Sequence, residues 1–453
     1  MRSSLSVADD AHSAKRLSAA ASLIVLSLPL FVTFLYVRAF SVEMPFMDDW
    51  DIAIPQLAHL ETGTLRWSDI NVQHNESVIL FPQLVYLAAA RLAGYQVLGP
   101  IYISFAFLCG SLSVLILFFR RLRLPGRWSL LWFLPVSVSF MSWRQSEGLL
   151  WSTHLLNTTA LFFTLLTLYC CLDAHRSRLH FAAAAASAGI ASFSMASGVL
   201  SWPIGWICLA LLAPPAAPRS RLWRIAAWSL LGGLCVTCFL LDRPAHSIGW
   251  QAGLSYARSH LGTVGRYSLI YLGSPFSHDP DWAVLAGAAF LAIAVFSVYL
   301  TVAKGLRQDG VPPAVLLIPY VLMALGPLLL FRLQLGSGEA ISSRYVTLVS
   351  VGPVGVYFCL LALLRKTPAA RYLLVALAAL FVLGTLDSYV SGLEDGRQNR
   401  MDLIQCAALV RDFRQHAPED LDCAYPEPEA ILGRAAYLER RHWSLFQWRN
   451  GHQ

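Results

Sequence analysis

The sequence predicts an all-α polytopic membrane protein with about eleven transmembrane helices and interfacial helices in its first outside loop. Three observations predict it. The 453 residues are 56% hydrophobic and only 13% charged, where a soluble chain would carry about 25%. Apolar stretches of the roughly 20 residues needed to cross a bilayer recur from Leu17 to Val390. The short segments between them alternate between basic and non-basic, as the positive-inside rule requires.

The N-terminal segment 1–16 is expected in the cytoplasm. Leu17–Phe40 follows Lys15 and Arg16. Its apolar run exceeds the 7–15 residues of a signal peptide and no small-x-small cleavage site follows, so it reads as an uncleaved first span. The chain is then outside over 41–96. Within that loop Ser77–Leu92 is apolar but short, carries Pro82 and ends at Arg91, which fits an interfacial or half-inserted helix. Val97–Phe119 returns to Arg120, Arg121, Arg123 and Arg127, a strong inside marker.

Trp128–Trp143 goes out and Leu149–Leu172 comes back to Arg176 and Arg178. Phe181–Ala196 and Val199–Leu212 repeat that excursion and end at Pro214, Pro215, Arg219, Arg221 and Arg224. Ile225–Leu241 leads to an outside loop, 242–281. Trp282–Ala303 returns to Lys304 and Arg307, and Val311–Phe331 exits to the loop 332–344. Tyr345–Leu364 ends at Arg365, Lys366 and Arg371, and Tyr372–Val390 exits for the last time. The multi-span domain thus covers 17–390, and 391–453 forms a small outside cap. No internal repeat of the inverted-repeat transporter kind is visible.

The net charge of +7 sits largely in short loops. It sets topology and does not point to a nucleic-acid partner. Seven of nine cysteines lie in apolar segments as small hydrophobes, including Cys235 and Cys238, whose C-x-x-C falls inside a span. Cys406 and Cys423 lie outside and can pair in an oxidising compartment.

The chemistry-bearing residues gather in the outside loops. Asp48, Asp49 and Asp51 flank Trp50 just beyond the first span. Neighbouring side chains diverge, so Asp48 and Asp49 are expected to do different work: one as general base for an acceptor hydroxyl, the other on a metal or a helix N-terminus. The alternative is a solvated loop whose aspartates cap a helix starting near Ile52. His74, Asn75 and Glu76 follow Gln73 and can bond sugar hydroxyls, phosphate or metal, or simply open a helix. The Asn75-Glu76-Ser77 sequon is a chance match.

Arg144 and Glu147 lie in a tight turn, either as a salt bridge or with Arg144 on an anionic headgroup; His154 and Asn157 continue that face. Ser342, Ser343, Arg344 and Tyr345 enter a span from outside, where a guanidinium fork and a phenol suit a lipid phosphate, or anchor the interface. Arg332 is a weaker candidate. His278, Asp279 and Asp281 surround Pro280 and read as a turn more readily than as a metal site.

These motifs together resemble a known group. Phe46-Met47-Asp48-Asp49-Trp50, His74-Asn75-Glu76 with Ile79-Leu80-Phe81-Pro82, Phe193-Ser194-Met195-Ala196-Ser197-Gly198 with Trp202-Pro203, and Ser343-Arg344-Tyr345 resemble a bacterial multi-span family within the GT-C superfamily of membrane glycosyltransferases. The likeness spans roughly Leu17 to Val390. It implies a polyprenyl-phosphate-sugar donor and an envelope glycan, lipid or protein acceptor, meeting among membrane lipids on the outer face of the inner membrane. Asp48 matches the first acid of the superfamily's Asp-Glu pair, and Asp49 stands where Glu is commoner. Arg344, with Tyr345 and Arg144, would meet the donor phosphate, and His74, Asn75 and Glu76 the acceptor or sugar. Some members use a divalent cation, Mg or Mn, and others none, so the metal stays open. A lipid-linked oligosaccharide flippase and a multi-span glycan polymerase or ligase are the competing functions.

Overall fold

The computed structural model describes residues 2–125, 129–212, 218–241, 250–303, 313–364 and 367–447. The expected inside markers Arg127, Lys304, Arg307, Arg365 and Lys366, with Pro214 and Pro215, lie outside the described residues. Among the described residues the regular structure is helical, apart from one hairpin of two-residue strands.

Eight helices among the described residues are long and apolar enough to cross a membrane: Ala21–Phe40, Leu98–Arg120, Ser152–Asp173, Ser220–Leu240, Pro280–Ala303, Ala314–Phe331, Ser343–Leu363 and Ala369–Arg411. The three other expected spans are shorter. Trp128–Trp143 becomes a 3-10 turn, Ser129–Phe133, and a helix, Leu134–Phe140, with Pro135 at the junction. Phe181–Ala196 becomes Arg178–Ser192, 15 residues, or about 22 Å against a hydrocarbon core of about 30 Å. Val199–Leu212 is a succession of 3-10, α and π segments within Ala196–Leu212.

Burial sorts the spans. In Ser343–Leu363, 89% of the apolar window is buried, so this helix is central; Ala21–Phe40, Ser220–Leu240 and Ala369–Arg411 bury only 28%, 22% and 22%. Their outward faces carry Leu23, Ile24, Leu230, Leu234, Val375 and Leu383, suited to lipid contact. The helices Leu261–Gly273 and Pro280–Ala303 approach most closely at Gly273 and Gly287, where a Cβ would lie 1.9 Å from the Ala283 carbonyl and 2.0 Å from the Leu269 carbonyl. Small residues let backbones meet in this way.

The two ends of the bundle differ in charge. At one end Arg121 pairs with Asp173, Arg176 lies 3.5 Å from Asp173, and Arg224 donates to the His175 carbonyl at 3.1 Å. At the other end sit the first loop, the 332–342 turn and the C-terminal segment. Glu43 joins them: its carboxylate accepts from Val97 N and Leu98 N at 2.6 and 3.1 Å, capping Leu98–Arg120, and from Ser444 Oγ at 2.9 Å. A carboxylate at a helix N-terminus is favoured by the helix dipole.

The backbone does not change at Val390, where the last span is expected to end. The last helix runs unbroken from Ala369 to Arg411, 43 residues, about 65 Å. Hydropathy drops after Val390, but no Gly or Pro run stops the helix. Cys406 on this helix forms a disulfide with Cys423. The helix Pro428–Arg441 follows and packs back on the first loop.

Candidate functional site

The first loop is built from short pieces. Met47 takes a left-handed backbone (φ +48°), and Asp49–Ile52 and Ile54–Glu61 follow as helices. Gln73–His74 pairs antiparallel with Ser77–Val78. Asn75 occupies the turn with φ +50°, a conformation Asn tolerates better than most residues. The helix Leu80–Ala93 follows, 14 residues long.

This loop closes a cavity of about 110 Å³. Asp48, His74, Asn75 and Glu76 line it from the loop; Thr153, His154 and Asn157 from the start of Ser152–Asp173; Arg332, Arg344 and Tyr345 from the opposite wall. Leu156, Ala324, Pro327, Leu328 and Leu348 form its apolar side. Residues as far apart in sequence as Asp48 and Leu348 therefore share one pocket.

The polar groups are paired. Asp48 Oδ2 lies 3.0 Å from His74 Nε2. Arg332 Nη2 donates to Glu76 at 2.9 and 3.3 Å. Arg344 Nη2 donates to both oxygens of Glu339 at 2.7 and 2.9 Å, and its Nη1 stands 3.8 Å from Glu147. Tyr345 OH donates to the same Glu339 at 3.2 Å. His154 Nε2 lies 2.9 Å from the Arg344 carbonyl, an arrangement in which the ring N–H donates and fixes the backbone that carries Arg344. Ser342 Oγ and Ser343 Oγ donate to Glu147 at 3.0 and 3.3 Å.

The two adjacent aspartates point apart. Asp48 keeps 31% of its side chain exposed. Asp49 is 1% exposed and accepts from Phe46 N at 3.1 Å, from Thr153 Oγ1 at 2.8 Å and from Ser152 Oγ. Burial pushes the Asp49 carboxyl up to about 7, against the three hydrogen bonds that favour its charge; the Asp48 charge adds to the rise. Asp49 thus tethers the first loop to the start of Ser152–Asp173, while Asp48 faces the cavity. A second cavity of about 270 Å³ lies beyond Trp151, a wall common to both; it is lined by Asp49, Glu147, Asp395, Gln398, Asn399 and Asp402 among others.

Arg144 is not brought into the 110 Å³ cavity. It is 5% exposed, and its guanidinium donates to the Ile341 carbonyl at 2.7 Å and the Ser277 carbonyl at 3.3 Å. Through these two bonds it holds the turn that presents Arg344. His278, Asp279 and Asp281 disperse: His278 pairs with Asp387 at 2.7 Å, Asp279 caps Pro280–Ala303 through the amides of Asp281 and Trp282, and Asp281 meets Arg266. Among the described residues no group of three or more His, Cys, Asp or Glu is arranged to hold a metal ion. Sequence reasoning did not single out Glu339 or Trp151. Glu339 carried one faint signal, an acid five residues before Arg344 in the same loop.

Protein-family models, curated proteins and solved structures were all compared with the chain, and none matches. The chain is a mostly helical, multi-span membrane protein.

Proposed function

We propose that this protein transfers a sugar from a polyprenyl-phosphate donor to a cell-envelope acceptor at the outer face of a bacterial inner membrane, on an eleven-span GT-C-like scaffold with its N-terminus inside. One observation carries the reading: a half-exposed carboxylate, two guanidinium groups and an apolar wall line a single cavity at the loop end of the bundle. Acceptor activation needs a base within reach of the hydroxyl proton. Asp48 takes that role, oriented by His74. The acceptor oxygen bonds to the anomeric carbon as its proton passes to Asp48. The bond from that carbon to the phosphate oxygen breaks, and its electron pair stays on the phosphate. Arg344 and Arg332 stabilise the charge developing there. The apolar side of the cavity suits the first prenyl unit, and the acceptor hydroxyl must reach the same cavity, where Asp48 stands.

The test is transfer of labelled sugar from polyprenyl phosphate in membranes carrying Asp48→Asn. Loss of a general base lowers turnover by about 10²–10⁴-fold. Arg344→Gln lowers it as well, with unchanged membrane insertion. Full activity in Asp48→Asn removes the base and with it the proposed mechanism.

A further inference from the structure

We propose that the segment after the long C-terminal helix is a positioning element for Asp48: Tyr425 and Arg434, with the Ala424 carbonyl, hold the Met47–Asp51 turn so that Asp48 faces its cavity. The proposal deepens the transferase reading and rests on it for the catalytic consequence alone.

Contacts from this segment grip the turn on both sides of Asp48. On one side Met47 N donates to the Ala424 carbonyl at 2.8 Å. On the other, Asp51 accepts from Tyr425 OH and pairs with Arg434 Nη1 at 2.7 Å. Met47 needs such a partner, because its φ of +48° lies where an unbranched L residue rarely rests. Relaxing Met47 to negative φ would redirect the residue that follows it, which is Asp48.

The grip is itself anchored. Cys423, next to Ala424, is bonded to Cys406 near the end of Ala369–Arg411. The carbonyl that holds Met47 is therefore fixed to a helix rooted in the bundle. Farther along, Arg441 pairs with Glu61, and Ser444 N donates to the Tyr95 carbonyl at 3.0 Å, so the segment spans the whole first loop. Tyr425 and Arg434 touch neither the cavity nor a substrate position. Their action runs through Asp51.

The experiment uses the full chain in nanodiscs and two readouts. Hydrogen exchange of peptides covering 44–52 is compared among wild type, Tyr425→Phe with Arg434→Gln, and Cys406→Ser with Cys423→Ser. Exchange in that peptide rises about tenfold, the scale of one lost hydrogen bond, while Leu98–Arg120 stays protected. In the transfer assay kcat falls by a similar factor with KM unchanged, and Arg434→Lys, which keeps the ion pair, restores it. Unchanged exchange in both variants overturns the proposal, as does raised exchange with full Asp48-dependent turnover. If Asp48→Asn itself transfers sugar normally, the transferase reading fails, and exchange alone then decides the tether.

Discussion

Replacing Asp49 with Asn should change the pH dependence of stability more than stability itself. The folded carboxyl titrates at about 7 against an ordinary 3.8, chiefly because burial penalises the ion. Below about pH 4 both folded and unfolded chains carry the proton, and the wild type is at full stability. As pH climbs through 7 the unfolded chain has released its proton while the folded one resists, so stability is lost. At about 1.4 kcal/mol per pH unit the whole loss is roughly 4 kcal/mol. Asn cannot ionise, so its profile lacks this decline. It keeps an oxygen for Ser152 and Thr153 but turns its NH₂ toward Phe46 N–H, losing a bond and costing about 1–3 kcal/mol. The variant should therefore unfold below wild type at pH 4.5 and at or above it at pH 8.5. Thermal unfolding in detergent across that range measures the crossing. Parallel profiles would refute the argument, because they mean that three hydrogen-bond donors outweigh burial and Asp49 stays charged throughout.

Two further outcomes follow from other contacts. Glu76→Gln frees Arg332 from its 2.9 Å partner and should raise affinity for a short-chain polyprenyl phosphate by about tenfold, whereas Arg332→Gln lowers it by a similar factor, both read by equilibrium binding in nanodiscs. Gly273→Ala would set a Cβ 1.9 Å from the Ala283 carbonyl and should destabilise by about 1–3 kcal/mol; Gly265→Ala, on the same helix with nothing within 4 Å, should be neutral or slightly stabilising in the same unfolding assay.

The class of the protein was legible because hydropathy is a local property: the stretches from Leu17 to Phe40 and from Trp282 to Ala303 announce themselves residue by residue. What was illegible depended on neighbours. Arg178–Ser192 stops short where Gly198 nests against the Ala191 carbonyl, a contact no hydropathy window contains. The helix from Ala369 continues past Val390 because polar residues change its solvent, not its backbone. In the site, Asp48, His74, Glu76 and Arg344 were readable as residue types with chemistry, and they share a cavity. Arg144 and Arg344 both read in sequence as arginines able to meet an anionic headgroup. Only the fold shows that Arg344 lines the cavity while Arg144 bonds the Ile341 and Ser277 carbonyls outside it. Glu339 escaped notice because its meaning lies in its bidentate hold on Arg344.

That hold also bears on how a phosphate would be received. Two bare guanidinium groups in a partly buried pocket would carry a large desolvation cost and repel each other. Pairing Arg332 with Glu76 and Arg344 with Glu339 removes that cost within the chain itself. A lipid phosphate then gains little from arriving near the cations and much from exchanging with a carboxylate, because the fork geometry of Arg accepts either anion. Glu339 is the better placed to yield. It sits in the short Ser337–Ala340 helix after Gly336, whose φ is +95°, whereas Glu76 is fixed in a paired hairpin turn. Under the proposed reaction Arg344 would thus trade Glu339 for phosphate, and Arg332, whose two bonds to Glu76 both come from Nη2, would add its charge from Nη1. The leaving group would meet a cation freed only when donor binds, so the resting pocket holds no bare charge.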